Sequence, residues 1–123
     1  MAIPIKVVMD VMLANTGSFT PGRVRFFEGF IDSASVTAFQ NGAPLVGSQT
    51  SITAQFGGVT RARYVVCKFK TKGRLVLNGS QTIPIKVGAD SAGFFYMEGS
   101  ITSMKFINSA SATTTFEYLV AGT

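Results

Sequence analysis

Apolar residues alternate with polar ones through most of the chain, and turn residues break the alternation at short intervals. A period of two places every second side chain on the same face, which is typical of a half-buried strand. The final segment is the clearest case, because Phe116, Tyr118 and Val120 share one parity while Glu117 and Leu119 take the other. No stretch repeats its apolar residues with a helical period, and the abundant Thr, Val, Ile and Phe favour strands. The pattern therefore predicts an all-β protein.

The boundaries of the predicted strands follow from the turn signals. Turns rich in Gly, Asn, Asp or Pro recur at 15–17, 21–22, 41–42, 57–58, 72–73, 78–79, 90–93 and 98–99. Strands are predicted at 3–13 (one long or two short), 24–31, 35–40, 49–56, 62–71, 74–77, 82–87, 94–97, 101–108 and 113–120. We expect two hairpins, one pairing 74–77 with 62–71 and one pairing 113–120 with 101–108. The architecture favoured is an antiparallel β-sandwich of jelly-roll type with about eight or nine short strands.

The whole chain, 1–123, is expected to form one β-sandwich domain, since its length lies in the usual range for one domain. Cys67 is the single cysteine, so no disulfide can form within the chain, and we expect it to be a small buried residue. No apolar stretch approaches the ~20 residues that a membrane-spanning helix needs. Lys6 and Asp10 fit a signal peptide poorly. We therefore expect synthesis in a cytoplasm and no membrane partner.

The composition excludes several kinds of chemistry. The chain has no His and one Cys, so a closed Cys/His zinc site within one chain and His-dependent nucleophilic catalysis are both impossible. The six carboxylates show no spacing that recommends a catalytic pair, and Asp90 alone is too little for a calcium site. The glycines do not match a phosphate-binding loop. We expect no enzyme activity, no catalytic residue, no cofactor and no metal.

More than half of the eleven basic residues lie in one segment without acids: Arg61, Arg63, Lys68, Lys70, Lys72 and Arg74. In a regular strand the three lysines would share one face and Arg61 and Arg63 the other, so a bulge or a hairpin would be needed to gather them. The interpretation we favour is an edge strand whose lysines prevent aggregation. The alternatives are contact with the acidic surface of a partner protein and, least favoured, binding of single-stranded nucleic acid.

Adjacent aromatic residues form two clusters: Phe26, Phe27 and Phe30, and Phe94, Phe95 and Tyr96. In each adjacent pair one ring must point away from the core of a regular sheet. Either another layer covers both faces, or the outward rings form a subunit interface, where aromatics are enriched. A carbohydrate-binding platform is a third interpretation, weakened by the absence of Trp. With only 14% charged residues the surface would leave apolar patches in water, so we expect a homo-oligomer.

The chain resembles the small β-sandwich structural proteins of tailed-bacteriophage virions, such as decoration or cement proteins and head fibres. The resemblance is most evident in 99–123, GSITSMKFINSASATTTFEYLVAGT, and in the strand-first opening 1–17, MAIPIKVVMDVMLANTG. It implies a virion subunit without chemistry, often a trimer, that attaches to a major capsid or tail protein after synthesis in the host cytoplasm. No functional residue is carried over by position. The alternatives are a carbohydrate- or receptor-binding module and a single-stranded nucleic-acid-binding protein that uses 61–74.

Overall fold

The computed structural model describes residues 3–8, 11–13, 24–27, 30–87 and 92–123, and the side chains from Val36 onward. These residues contain thirteen strands and no helix, which confirms the all-β prediction. None of the described segments forms a helix long and apolar enough to cross a membrane. Contacts divide the chain into two compact units, 1–36 and 37–123. The single domain expected for 1–123 stays a prediction.

The first unit contains two antiparallel pairs of strands. They are β1 (Ile3–Val8) with β4 (Phe30–Val36), and β2 (Val11–Leu13) with β3 (Val24–Phe27). Of the two options for 3–13, the structure has the pair of short strands. Phe26 and Phe27 lie on β3, and Phe30 begins β4.

The second unit holds nine strands in two antiparallel sheets. In chain order they are β5 (Ala38–Gly42), β6 (Leu45–Val46), β7 (Ser51–Thr53), β8 (Ala62–Phe69), β9 (Gly73–Leu77), β10 (Gln81–Ile85), β11 (Gly93–Ile101), β12 (Met104–Asn108) and β13 (Thr114–Gly122). One sheet has the order β10-β9-β12-β7. The other has the order β11-β8-β13-β5, with β6 also paired to β13. Among these nine strands, only β9 and β10 are neighbours in the sequence that also pair as a hairpin.

The inner faces of the two sheets pack on each other and enclose the core, so this unit is an antiparallel β-sandwich. Phe106 on one sheet lies 5.3 Å from Phe69 and 5.1 Å from Phe116 on the other, measured between ring centroids. Cys67 joins this core at 1% exposure, as predicted. The predicted alternation of β13 is confirmed as well, because Phe116, Tyr118 and Val120 are buried while Glu117 and Leu119 are half-buried. The jelly-roll connectivity of this sandwich stays a prediction.

Both predicted hairpins that flank the core are wrong. β8 and β9 lie in opposite sheets, as do β12 and β13. Each of these strands has one apolar face, and the members of each pair meet face to face across the core rather than side by side. At the β8–β9 crossover, a Cβ on Gly73 would collide with the Ile107 carbonyl and lie 2.6 Å from the Phe106 ring. That close approach is possible only for glycine and lets β9 pair with β12.

Of two predicted Asn-Gly turns, one is present and one is not. Asn78 and Gly79 join β9 to β10 with φ of 53° and 74°, which confirms that turn. Asn41 and Gly42 instead lie within β5, so the turn predicted there is wrong. Gly42 is opposite Tyr118 on β13, and a Cβ at this position would lie 2.8 Å from the Tyr118 ring. The glycine therefore makes room for an aromatic ring rather than for a turn.

Candidate assembly surface

Three large hydrophobic side chains of the described residues are exposed: Phe39 at 56%, Leu45 at 73% and Phe94 at 62%. They lie on β5, β6 and β11, which all belong to the five-stranded sheet. A strand side chain points to the same side of the sheet as the residue opposite it on the neighbouring strand. The register therefore places all three on the side of this sheet that faces away from the core, which we call the outer face.

Two rows of residues cross the outer face where it is open. In the first row, Phe94 on β11 is opposite Lys68 on β8, and Lys68 is opposite Glu117 on β13. The second row is formed by Tyr96, Val66, Leu119 and Asn41, one from each strand. A groove of about 440 Å³ lies between the Phe94 ring and the end of β5. The next row is closed at its centre, where Tyr64 and Ala121 are 1% and 0% exposed, whereas Phe39 at its end is exposed.

The charges on the outer face are balanced, although the chain carries +5. Arg63 pairs with Glu98 at 3.3 Å and also lies over the Tyr64 ring at 5.2 Å. Both side chains of this pair are well exposed, so the pair contributes little to stability. Lys68 and Glu117 lie opposite each other on adjacent strands, but neither forms an ion pair with any residue that the structure describes. The face therefore offers one cation and one anion for contact with a partner.

The six residues of the basic segment are all exposed but are not gathered into one stripe. Arg61 and Arg63 lie at the start of β8, Lys68 on the outer face, Lys70 and Lys72 in the β8–β9 connection, and Arg74 on the four-stranded sheet. The strand pairing skips Arg63, and this bulge turns it outward although its parity differs from that of Lys68. Whether these residues contact a partner stays a prediction.

The edge-strand interpretation of the basic segment is wrong. β8 lies between β11 and β13, and β9 lies between β10 and β12, so both strands are paired on each side. Lysines on these strands cannot shield a free sheet edge. Their exposure reflects the faces of the sheets and the crossover between them.

The aromatic cluster on β11 is divided as the alternation predicts. Phe95 packs against the core, whereas Phe94 is 62% exposed and Tyr96 is half-buried on the outer face. The side chains of Phe26, Phe27 and Phe30 lie outside the described ones, so an interface role for that cluster stays a prediction.

Sequence reasoning missed Phe39 and Leu45. The sequence does carry a signal for them, because each is an apolar residue next to another apolar residue that points inward. Ala38, beside Phe39, packs against the core, and Val46, beside Leu45, is 2% exposed.

The described residues contain no group of three or more His, Cys, Asp or Glu side chains that could hold a metal ion. Burial raises the pKa of the Cys67 thiol to about 12, so it stays protonated and is a poor nucleophile at neutral pH. The outer face is open and largely apolar where the two rows cross it. Comparison of the chain with protein-family models, curated proteins and solved structures finds no match.

Proposed function

We propose that the chain is a non-enzymatic structural subunit of a virus particle, a decoration or cement protein that stabilises the particle by contacts between subunits. The observation that carries this proposal is the outer face, where Phe39, Leu45 and Phe94 are all more than half exposed on one side of one sheet. Exposed apolar side chains gathered on one face of a sheet are typical of contact surfaces. The subunit would be made in the host cytoplasm and would work as a homo-oligomer in the virion.

The strand order supports the same class of protein. If the two-residue β6 is left out and β5 is counted as the first of eight strands, the two sheets have the orders 6-3-8-1 and 5-4-7-2. Two Greek keys rolled together produce this order, and the resulting jelly roll recurs in viral capsid domains and lectins. We therefore infer that the sandwich is a jelly roll.

The opposite side of the sandwich favours a second kind of contact. Arg74 on β9 and Lys105 on β12 are exposed on the outward side of the four-stranded sheet, which carries no carboxylate among the described residues. Lys70 and Lys72 lie beside this sheet in the β8–β9 connection. In the proposed particle this basic side meets an acidic surface of the major capsid or tail protein, while the outer face meets other subunits. Complementary charge of this kind steers association and fixes orientation.

The groove favours one second candidate function, a carbohydrate- or receptor-binding module. An exposed ring, Phe94, borders the groove together with the polar side chains of Asn41 and Glu117. Binding in a glycan array that is lost in Phe94→Ala would favour this candidate. For single-stranded nucleic acid the described residues offer no comparable feature, because their basic side chains are divided between the two sheets rather than lined up along one track.

Co-sedimentation with virus shells tests the proposed function. The genes that flank the coding sequence are expected to encode portal, capsid or tail proteins, and shells are assembled from that capsid protein. The purified chain is expected to pellet with the shells, and Arg74→Glu combined with Lys105→Glu is expected to weaken this binding. Lys68→Glu, on the opposite side, is compared with each single reversal at a chain concentration where the native chain is a monomer, and there it should leave shell binding unchanged. A chain that stays in the supernatant, from a locus without virion genes, would contradict the proposal.

A further inference from the structure

We propose that the partner seated on the outer face is a second copy of this chain, related to the first by a two-fold axis that runs parallel to the strands between β8 and β13. This inference rests on the proposed function and deepens it, because it names the occupant of the same surface. It follows from the register of four strands, from one groove and from two charges.

The register makes the outer face complementary to itself. Adjacent strands lie about 4.8 Å apart, so a two-fold axis midway between β8 and β13 exchanges those two strands and also exchanges β11 with β5. Each row of one copy then faces the same row of the other copy in reverse order. Because Lys68 and Glu117 are opposite each other across this axis, Lys68 of each copy faces Glu117 of the other.

The shape of the first row fits the same operation. Phe94, at one end of the row, is raised above the sheet with 62% of its surface exposed. The other end of the row lies beside Asn41, Gly42 and Ala43, which line the groove of about 440 Å³. The two-fold axis places Phe94 of each copy over this groove in the other copy. A protruding ring and a matching groove on one surface are what a reciprocal contact between identical faces requires.

The second row adds an apolar centre to the contact. Val66 and Leu119 are opposite each other and half-buried, so Val66 of each copy faces Leu119 of the other. At the ends of this row Asn41 is exposed, whereas the Tyr96 hydroxyl is buried within one copy. The contact therefore has aliphatic residues at its axis and an aromatic ring, Phe94, at each end, as specific interfaces do.

The charges favour a second copy over an unrelated partner. Within the described residues neither Lys68 nor Glu117 forms an ion pair in one copy. The two-fold contact pairs Lys68 of each copy with Glu117 of the other, so two ion pairs form. A uniformly acidic or basic partner would leave one of the two charges facing its own sign. The contact closes at two copies, so it differs from the trimer that the phage resemblance implies.

Charge reversal in the full-length chain tests this arrangement by sedimentation equilibrium at low salt. Lys68→Glu gives a face with two anions, and Glu117→Lys gives a face with two cations. Each variant alone is expected to bind itself about 100-fold more weakly than the native chain, since like charges then meet. An equimolar mixture of the two variants is expected to form a heterodimer with an affinity close to that of the native dimer. Weakening in each single variant together with recovery in the mixture is the result that a reciprocal contact between residues 68 and 117 of different copies predicts.

Two further variants serve as control and as independent check. Arg74→Glu makes the same charge change as Lys68→Glu on the other sheet and is expected to leave the dimer affinity unchanged. Phe94→Lys alters a side chain that is already 62% exposed, so it is expected to fold while weakening the dimer about 100-fold. Circular dichroism checks the fold of each variant. If a charge variant does not fold, the dimer affinity of Phe94→Lys tests the contact on its own.

Two outcomes would overturn the inference. The first is a native chain that remains a monomer at high micromolar concentration. The second is a set of single variants that associate as tightly as the native chain, or whose mixture associates no more tightly than either one alone. Binding of the native chain to virus shells in either case would leave the proposed function standing without this arrangement. Loss of shell binding alone, with the heterodimer formed, would leave the two-fold contact standing and remove the proposed function.

Discussion

Phe106 and Phe116 lie face to face across the core, with ring centroids 5.1 Å apart and an angle of 24° between their planes. They belong to β12 and β13, which follow each other in the chain but lie in different sheets. The polar segment between these strands therefore carries the chain across the sandwich. The stacking of these rings, together with Phe69, joins the two sheets at one end of the core.

Truncation of this contact is expected to be costly. Phe106→Ala should lower the free energy of unfolding by about 3–5 kcal/mol, because it removes a fully buried ring and leaves a cavity between the sheets. Urea denaturation monitored by circular dichroism measures the change. The same truncation at the exposed Phe94 is the matched control and, at a chain concentration where the native chain is a monomer, should change stability by less than about 0.5 kcal/mol. Equal losses at both positions would contradict the packing described for Phe106.

Asn108 is a second feature on which the crossover depends. Its side-chain amide donates to the carbonyls of Val46, Gly47 and Ala112 at 3.2, 3.1 and 2.9 Å, and its Oδ1 accepts from the Ala110 amide at 2.9 Å. Asn108 is 0% exposed, so no water can replace these bonds without a rearrangement.

Asn108→Ala is expected to destabilise the fold by about 3 kcal/mol, since several buried carbonyls lose their donor at once. Chemical denaturation measures the loss, and Asn41→Ala, at an exposed asparagine, is the control. Amide hydrogen exchange should also become faster at Ala110, whose amide loses its acceptor. Unchanged stability and unchanged exchange in Asn108→Ala would show that the connection does not depend on this side chain.

The parity of side chains could be predicted from the sequence, whereas the pairing of strands could not. The sequence places Phe116, Tyr118 and Val120 on one face because alternation is a local property of each strand, and that face lies in the core. Which strands pair is decided by packing between distant segments. The pairing of β9 with β12 needs the space that Gly73 leaves beside Phe106. The local sequence around Gly73 does not predict this pairing.

The candidate surface was predicted only at one edge. The adjacent rings of Phe94 and Phe95 showed that one of them must point outward, and Phe94 does. Phe39 and Leu45 are single residues far from this cluster in the chain. They lie on the same face as Phe94 only because β5 and β6 both pair with β13, which is a fact of sheet order.

The Asn78-Gly79 turn offers a test of backbone strain. Asn78 has a φ of 53°, and its Oδ1 accepts hydrogen bonds from the Thr102 amide at 2.7 Å and the Thr102 hydroxyl at 3.1 Å. Asn78→Ala loses both bonds and places in the left-handed region an alanine, whose side chain cannot form the local hydrogen bonds that help asparagine to adopt it. Asn78→Gly loses the same bonds but tolerates the φ. In thermal unfolding, Asn78→Ala is therefore expected to be about 1 kcal/mol less stable than Asn78→Gly. The reverse order would contradict the turn geometry.

The buried thiol of Cys67 predicts a pH dependence. Burial raises the pKa of Cys67 to about 12 in the folded chain, compared with an ordinary value of 9.0. The unfolded thiol therefore ionises first, and the stability contributed by the buried neutral thiol is lost as pH rises from about 9 toward 12. Cys67→Ala has no thiol, so its stability does not change for this reason. Between about pH 9 and 12 the urea midpoint of the native chain should therefore fall relative to the midpoint of Cys67→Ala. A constant difference would contradict a buried thiol.

The central claim is that the open, apolar outer face is an assembly surface, and the mass of the native chain in solution tests it most directly. Sedimentation equilibrium at micromolar concentration is predicted to give a mass well above the 13.1 kDa of one chain. Phe94→Lys should return that mass to the monomer value, while Thr82→Lys, exposed on the opposite sheet, should not. A native chain that sediments as a monomer, or an oligomer that Phe94→Lys leaves intact, would contradict the account.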